Sequence, residues 1–600
     1  MKITYTRNDR IIRRKFYQYL IPTVLMVLAM QFGSLADSIV VGQFLGDQAL
    51  TASSLALPVV FLVQIPAMMI GGGSAIVGAN LLGKRLVDDA SKVFKLSLFL
   101  AFTMSLVFVP LGIFLSEPVA RLFAGNFPDL IPMVYQYMLI YACQSPIIAV
   151  GIVVAYFLPS DNSPNLGAAF FVIGNVVHLA FEIMLCLILD PSVAMYGAAA
   201  STGIGMIAGM VVLIPYARSK RRMVNFKTPL QGGFHFTKDL LRAGSATGAQ
   251  TALLALFTVV LNLAATAYLT EAELPVYAML TNFSFVIDLF LLGILQIMPS
   301  VVSSLYGEKD YFGVKSICRR VFTLAMIVTA LLTAISIIYP QLFFFIFGVN
   351  LDSAKGGAND PLLVIRTYCV SFLFYAVNKY FVFYYPSIMV NAPAVVSNVV
   401  RIGLAGPLSA YLLMMSLGVI GYAYSAIIME VVAIVGAFLA VFIGKKTKKL
   451  SGNGILLLPK EEKVAGYLDI SIPAEKAEIS KVVEELQDYA EKNSGDKKAA
   501  AMLALATEEV LDNTIAYGYR HKIGARYIDI NLTTKEDALL VHIRDDGLNF
   551  DPTSFVASDD EEMRFHGIEV VRKVASEFRY LRVLNMNNTI MEITTSKRGA

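Results

Sequence analysis

Residues 22–62 read PTVLMVLAMQFGSLADSIVVGQFLGDQALTASSLALPVVFL. Between Pro22 and Leu45 the one ionisable side chain is Asp37. A helix needs about 20 apolar residues to cross the hydrocarbon core of a bilayer. The stretch therefore predicts one membrane span with a carboxylate late in its course, a short polar connection, and a second span. A carboxylate at mid-membrane costs about 2.5–3.5 kcal/mol on insertion scales, so Asp37 is expected to face a protein interior and not lipid.

The same pattern recurs along the chain. Twelve spans are predicted, near 15–41, 50–80, 93–117, 131–158, 164–189, 196–216, 241–269, 275–304, 317–346, 362–388, 394–414 and 418–443. Charge tests the count, because cytoplasmic loops collect Lys and Arg. With the N-terminus inside, 25 of the 30 Lys/Arg of residues 1–450 fall on the cytoplasmic side, and Arg121 and Lys355 outside. The reading is of a multi-pass protein of the inner (plasma) membrane, in contact with lipid, with both termini cytoplasmic. The first span follows a basic N-terminus without a small-residue cleavage site, so it is expected to stay in the membrane. Cys143, Cys186, Cys318 and Cys369 lie in apolar segments without metal-ligand spacing and read as buried thiols.

The two halves repeat. YGAAASTG at 196–203 answers IGYAYSAI at 420–427, GNVVH at 174–178 answers SNVVR at 397–401, and LGKRLVDDASKV at 82–93 answers YGEKDYFGVKSI at 306–317. The offsets are 224, 223 and 224 residues. A six-helix unit used twice in the same orientation is a transporter architecture, with the substrate path between the halves. The halves are read as 1–222 and 223–449.

The composition then changes. Residues 1–450 hold 30 Lys/Arg and 19 Asp/Glu, whereas residues 451–600 hold 19 and 26. An acidic, polar tail thus follows a basic membrane part, and no nucleic-acid partner is expected. After a linker at 450–466, residues 467–597 read as a small α/β sandwich: a strand at 467–473, helices at 474–493 and 496–519, a hairpin in RYIDINLTTKEDALLVHIRDDG, a helix in GIEVVRKVASEF, and a strand pair turning at NMNN.

The quoted stretch, with Pro22, Asp37, VGQFLGDQAL and the LLGKR after the second span, resembles the first two helices of multidrug and toxin extrusion (MATE) transporters, over residues 10–445. That resemblance implies two six-helix bundles around a central cavity. It also implies export of organic, often cationic, small molecules against Na⁺ or H⁺. The family's N-terminal ion site uses a helix-1 Asp with an Asn and an Asp four apart on helix 5. Asp37 and Asn175 match. Position 179 is Leu, and His178 and Glu182 flank it, so either Glu182 replaces the missing Asp or His178 shifts the coupling towards protons. In the second half Asn398 and Arg401 repeat Asn175 and His178. Arg401 has Glu430, Asp288 or a substrate carboxylate as candidate partners, or serves a structural ion pair. Lys379 and Arg366 read equally well as structural or interfacial.

In ATEEVLDNTIAYGYR (506–520), Glu509 and Asn513 stand four apart on a helix, which by itself is also what a solvated helix face looks like. In order with RDDGLNFDP and HGIEVVRK, however, the tail resembles the GHKL (histidine-kinase-like) ATP-binding fold, closest to anti-sigma-factor serine kinases. The resemblance implies ATP with Mg²⁺: Glu509 catalytic, Asn513 on the metal, Asp545 and Gly547 at adenine, and Gly567 where a helix start meets phosphates. Glu569 stands where the family has a second glycine. GKKT at 444–447 lacks the earlier glycine of a phosphate-binding P-loop, so ATP is not expected to drive transport directly. Three functions follow: an exporter with an ATP-binding regulatory or serine-kinase-like tail; a transporter-shaped sensor whose kinase output meets an anti-sigma-antagonist-like protein; or a flippase.

Overall fold

A computed structural model describes residues 4–124, 128–270, 272–347, 359–459, 466–519, 526–553 and 562–595. The chain divides into two compact units, Gln18–Pro459 and Met1–Tyr17 with Lys460–Ala600. The first seventeen residues thus group with the acidic tail, where the sequence reading gave them to the first bundle.

Among the described residues of the membrane unit, eleven helices are long and apolar enough to cross a bilayer, and a bent pair brings the number to twelve. The bent pair is Pro128–Cys143 with Ser145–Phe157, turned by 54°. The break falls at Gln144. Its side-chain amide donates to the Ala199 carbonyl (2.7 Å) and its side-chain oxygen accepts from Gly203 N–H (3.0 Å), while Pro146 opens the second piece. Gln144 thereby finds in the neighbouring helix Ala194–Gly209 the partners that a polar side chain needs in an apolar interior. Two further helices carry π-helical turns, at Met298–Val302 and Val399–Ala405.

The repeat is visible in the packing. A Cβ on Gly83 would run into the backbone of Ser304, and a Cβ on Gly307 into the backbone of Asn80. These are two copies of one contact, displaced by 224 positions. Likewise Gly73 meets Leu240 and Gly244 meets Met69, backbone to backbone. With no difference in polarity between lipid tails and apolar side chains, close backbone approach through small residues is what holds membrane helices together. The asparagines repeat too: Asn175 donates to the Ala29 carbonyl (2.6 Å) and Asn398 to the Ala246 carbonyl (2.9 Å).

The second unit is built on a five-stranded antiparallel sheet of order β1-β2-β3-β5-β4: β1 Tyr467–Pro473, β2 Tyr527–Thr534, β3 Ala538–Asp545, β4 Glu577–Val583 and β5 Met586–Thr594. Alternation puts Ile470, Ile472, Ile528, Ile530, Leu539, Val541 and Met591 on one face, where they pack with Val482, Leu486, Leu503, Leu511 and Val571 of the helices. Those helices are Lys476–Ser494, Lys497–Asn513 and Glu562–Val574. Gly495 ends the first in the left-handed region (φ 72°), and the Asp496 carboxylate caps the second by accepting from Ala499 N–H (3.0 Å).

Three expectations change here. The second helix closes at Asn513 with a π-turn at Thr514–Gly518 instead of running to 519. The third helix begins at Glu562 and ends at Val574, leaving Phe578 in β4. The turn of the last hairpin is Leu584–Asn585, both with positive φ (52° and 56°), which is the twist a two-residue hairpin turn requires. Asn587 and Asn588 lie inside β5.

Gly83→Leu and Gly307→Leu are each expected to destabilise the membrane unit by about 1–3 kcal/mol, as overpacking against backbone does. Gly42→Ala, where the nearest atom is a flexible leucine tip at 3.4 Å, should be near neutral. Thermal midpoints of the detergent-solubilised variants measure the difference.

Candidate functional site

In the N-terminal bundle the sequence brings three titratable groups together. The helix Pro164–Ile188 presents His178 and Glu182 one turn apart, facing Asp37 of the helix Arg10–Leu45. His178 Nε2 lies 3.5 Å from Asp37 Oδ1 and 3.7 Å from Glu182 Oε2. One ligand atom from each lies within 4.8 Å of the others, a grouping able to hold a cation. Glu182 is fully buried, and among the described residues both its carboxylate oxygens, Asp37 Oδ1 and His178 Nε2 have no hydrogen-bond partner. Buried polar atoms without partners are costly, and this donor set of two carboxylates and an imidazole suits a proton or a small cation. Asn175 does not join the cluster, since its amide is directed at Ala29. A Cβ on Gly33 would strike the Asn175 side chain (2.6 Å), so the glycine makes room for that bond.

The second bundle is arranged differently. Arg401 Nε donates to Glu430 Oε1 (2.6 Å), and Asn378 donates to Glu430 Oε2 (2.6 Å). Tyr375 donates to Asp288, and Lys379 Nζ lies 3.9 Å from Asp288 Oδ1. The Arg401 guanidinium also sits over the Tyr375 ring, 4.6 Å from its centroid. Of these groups, Tyr375, Arg401 and Glu430 line a cavity of about 320 Å³ together with Tyr368, Phe372 and Met429. Of the partners open to Arg401, the structure selects Glu430. Tyr375 and Asn378 were missed by sequence reasoning. They are two polar positions in FLFYAVNKYF, a text that reads as apolar. Asn398 bonds to Ala246 and takes no part in this network. Arg366 donates to the Ile337 carbonyl (3.0 Å) from an exposed position.

In the soluble unit a cavity of about 370 Å³ lies between the helices Lys497–Asn513 and Glu562–Val574 and the sheet. It is lined by Asn513, Thr514, Gly518, Asp545, Ile568 and Asn587, among others. The β3–β5 register sets Asp545 opposite Asn587. Asp545 Oδ1 accepts from Asn587 Nδ2 (2.9 Å) and from Gly547 N–H (2.7 Å). Both bonds fall on the same oxygen. Burial pushes the Asp545 carboxyl up to about 6, against the lowering effect of these two bonds. Asn587 is held in turn by Tyr580 and Arg582, at 2.7 and 2.6 Å. Asn587 went unrecognised in the sequence, where NMNN reads as a turn.

Asn513 is buried, and its side-chain nitrogen donates to the Glu509 carbonyl (2.7 Å). Glu509 is half-buried and its carboxyl is raised, first by burial and then by Asp512 and Glu508, while Glu508 is exposed. Gly567 does not open a helix as expected. It lies in the second turn of Glu562–Val574, against Glu509, and any Cβ there would collide with the carboxylate. Glu569 is exposed. Residues 554–561 of the acidic segment between the motifs lie outside the described residues. Mg²⁺ takes few protein oxygens and completes its shell with phosphates and water. One amide oxygen from Asn513 with Glu509 nearby fits that requirement, and Asn513 is the residue that would hold the ion.

Two bundles related by a repeat, with buried charge in each, and an α/β module with an Asp/Asn-lined pocket define a transporter fold joined to a nucleotide-binding fold. The comparisons agree. The model of the MatE family matches residues 22–184, and that of the histidine kinase-like ATPase domain matches residues 472–593. A probable multidrug resistance protein, YoeA of Bacillus subtilis (strain 168), is 24% identical over 241 residues, 40% of this chain. The chain spans about half of that curated relative (52%). Among solved structures, a MATE in the bent conformation superposes with TM-score 0.64 at 19% identity, covering 73% of this chain and 96% of its own. A MOP superfamily transporter from Pyrococcus furiosus gives 0.64 at 19%, covering 74% and 100%. A variant of the Vibrio cholerae MATE transporter VcmN gives 0.65 at 14%, covering 74% and 98%. The chain carries a MatE domain with the MATE fold, followed by a histidine kinase-like ATPase domain.

ATP binding should depend on an ionised Asp545. The carboxylate is the form that accepts a hydrogen bond from a purine amino group, so affinity is expected to fall as pH drops through about 6. Asp545→Asn should weaken binding about tenfold or more and flatten that profile. For stability the sign is opposite. A carboxyl raised in the folded state stabilises fully below its unfolded value, and that contribution is lost as pH rises through about 6. Calorimetric titration with ATP between pH 5 and 8, and urea melts over pH 4–7, report the two effects.

Proposed function

We propose that the protein is an ion-coupled antiporter that exports organic, cationic compounds, and that its tail is a cytoplasmic MgATP-binding regulator. The observation that carries the transport reading is the Asp37–His178–Glu182 cluster, whose members face one another at 3.5–3.7 Å and whose inward atoms have no hydrogen-bond partner among the described residues. A proton or Na⁺ supplies the missing partner. Release of that ion on one side of the membrane and recapture on the other is what couples its inward movement to export. The coupling ion here is the proton. The His178 imidazole stands between two carboxylates, 3.5 and 3.7 Å away, whose joint charge a cationic substrate can take over. The description of YoeA as a probable multidrug resistance protein supports the export of small organic compounds.

For the tail, a pocket whose sides are Asp545 and Asn513 supports adenine at one end and metal-bound phosphates at the other. The module contributes binding and orientation. Asp545, fixed by Gly547 and Asn587, reads the base, and Asn513 holds the ion that neutralises phosphate charge. Glu509, kept against Gly567, is the group positioned to take a proton from an attacking hydroxyl. The excess of Lys and Arg in alternate loops and in the N-terminal tail supports a cytoplasmic position for this domain.

Efflux of an organic-cation dye from proteoliposomes under an imposed pH gradient tests the transport reading. Asp37→Asn and Glu182→Gln should abolish gradient-driven efflux, and His178→Gln should remove its dependence on pH while leaving dye binding in place. Retained, pH-driven efflux in Asp37→Asn would sink the proposal. In the same preparations Glu509→Gln is expected to keep MgATP binding and lose any phosphate release or transfer to a serine-bearing partner. Unchanged turnover in that variant would exclude Glu509 as the base.

A further inference from the structure

The face of the sheet opposite the helices is met at β1 and β2 by the chain's own N-terminus. Strand alternation puts Asp469, Ser471 and Asp529 on that face, opposite to Ile470, Ile472, Ile528 and Ile530. Within the same compact unit, residues 4–15 lie along it. Thr4 N–H donates to Glu485 Oε1 (3.2 Å), and the Tyr5 hydroxyl donates to Glu478, at the helix beside the β1 edge. Arg7 pairs with Asp529 at 2.5 Å, and Asn8 N–H donates to Ser471 Oγ (3.0 Å). Arg10 covers the Tyr527 ring at 4.5 Å, Arg14 pairs with Asp546, and Lys15 Nζ donates to the Asn585 carbonyl (2.8 Å).

The match is one of charge and of burial. Asp529 and Asp546 have side chains only 4% and 2% exposed, and a buried carboxylate that loses a cationic partner is heavily penalised. The far end of the segment meets the two supports of the adenine acceptor. Asp546 follows Asp545 directly in the RDDG turn, and it also bonds Tyr519, just beyond the π-turn that follows Asn513. Asn585 is in the hairpin turn, two residues before the Asn587 that holds Asp545.

We propose that residues 4–15 are an internal ligand of the nucleotide module, docked on the reverse face of its sheet, and that docking and MgATP occupancy of the Asp545 pocket are thermodynamically linked. This rests on the nucleotide reading of that pocket. Linkage is reciprocal: whatever ATP does to the docking of the segment, loosening the segment does to ATP affinity. The segment runs on, as the first turns of the helix Arg10–Leu45, into the residues that carry Asp37. The nucleotide state therefore has a covalent route to the helix of the candidate ion site.

The full-length protein in lipid nanodiscs tests this, with amide exchange of residues 5–9 and MgATP affinity as readouts. The double variant Arg7→Glu/Arg14→Glu should speed exchange there and shift MgATP affinity about fivefold or more. Arg13→Glu, the same substitution made once at an exposed position, should match the parent. Arg14→Gln, which keeps size and polarity, should give a smaller shift in the same direction and guards against a double variant that fails to fold. MgATP should change exchange of the segment in the parent. Affinity within twofold of the parent, with exchange in 5–9 clearly faster, overturns the linkage. An unprotected segment in the parent overturns the docking. A parent that binds no MgATP overturns the nucleotide reading and the link with it, and is told apart because the double variant still accelerates exchange.

Discussion

A charge removed from water must be paired, neutralised or shared, and in this chain several such charges are met by residues from distant parts of the sequence. Asp37 faces His178 and Glu182 across two helices. Glu430 is held between Arg401 and Asn378, and Asp529 of the sheet is met by Arg7, more than five hundred residues earlier. The apolar helices and strands set the scaffold, but these pairings decide which helix faces which. Apolar contact alone discriminates weakly among partners, whereas a misplaced buried charge costs several kcal/mol.

The two bundles spend this constraint differently. In the second, the carboxylates Glu430 and Asp288 have close cationic or hydroxyl neighbours. In the first, the oxygens of Glu182 are left open. A satisfied network rigidifies, whereas an unsatisfied one is a place for an exchangeable partner. The α/β module follows the first rule at one end of its pocket, where Asp545, Asn587, Tyr580 and Arg582 form one connected set.

Much of this was legible before any coordinates. Spans announce themselves by length, and the repeat by a constant offset between small-residue blocks, because close helix crossings need glycine at the same places in both halves. Asp37 and Glu182 were legible as charges in apolar text, and Asp545 through the resemblance of its RDDG motif to an ATP-binding fold. What escaped was set by tertiary partners. Gln144 breaks a span because Ala199 and Gly203 receive it. Asn587 looks like turn chemistry until the register puts it opposite Asp545. Gly567 resembles a helix start, yet it serves as clearance for Glu509. The basic N-terminus reads simply as an inside-facing tail. Nothing local in MKITYTRNDRIIRRK reveals that a sheet some 460 residues away receives it.

The duplicated asparagines carry one more consequence. Asn175 and Asn398 make the same bond to the first helix of their bundles, and three residues on stand His178 and Arg401. Imidazole gains and loses a proton near neutrality, whereas guanidinium keeps its charge at any pH a cell reaches. The two halves thus place different chemistry at one equivalent position: an imidazole facing two carboxylates in the first, and a guanidinium bonded to Glu430 in the second.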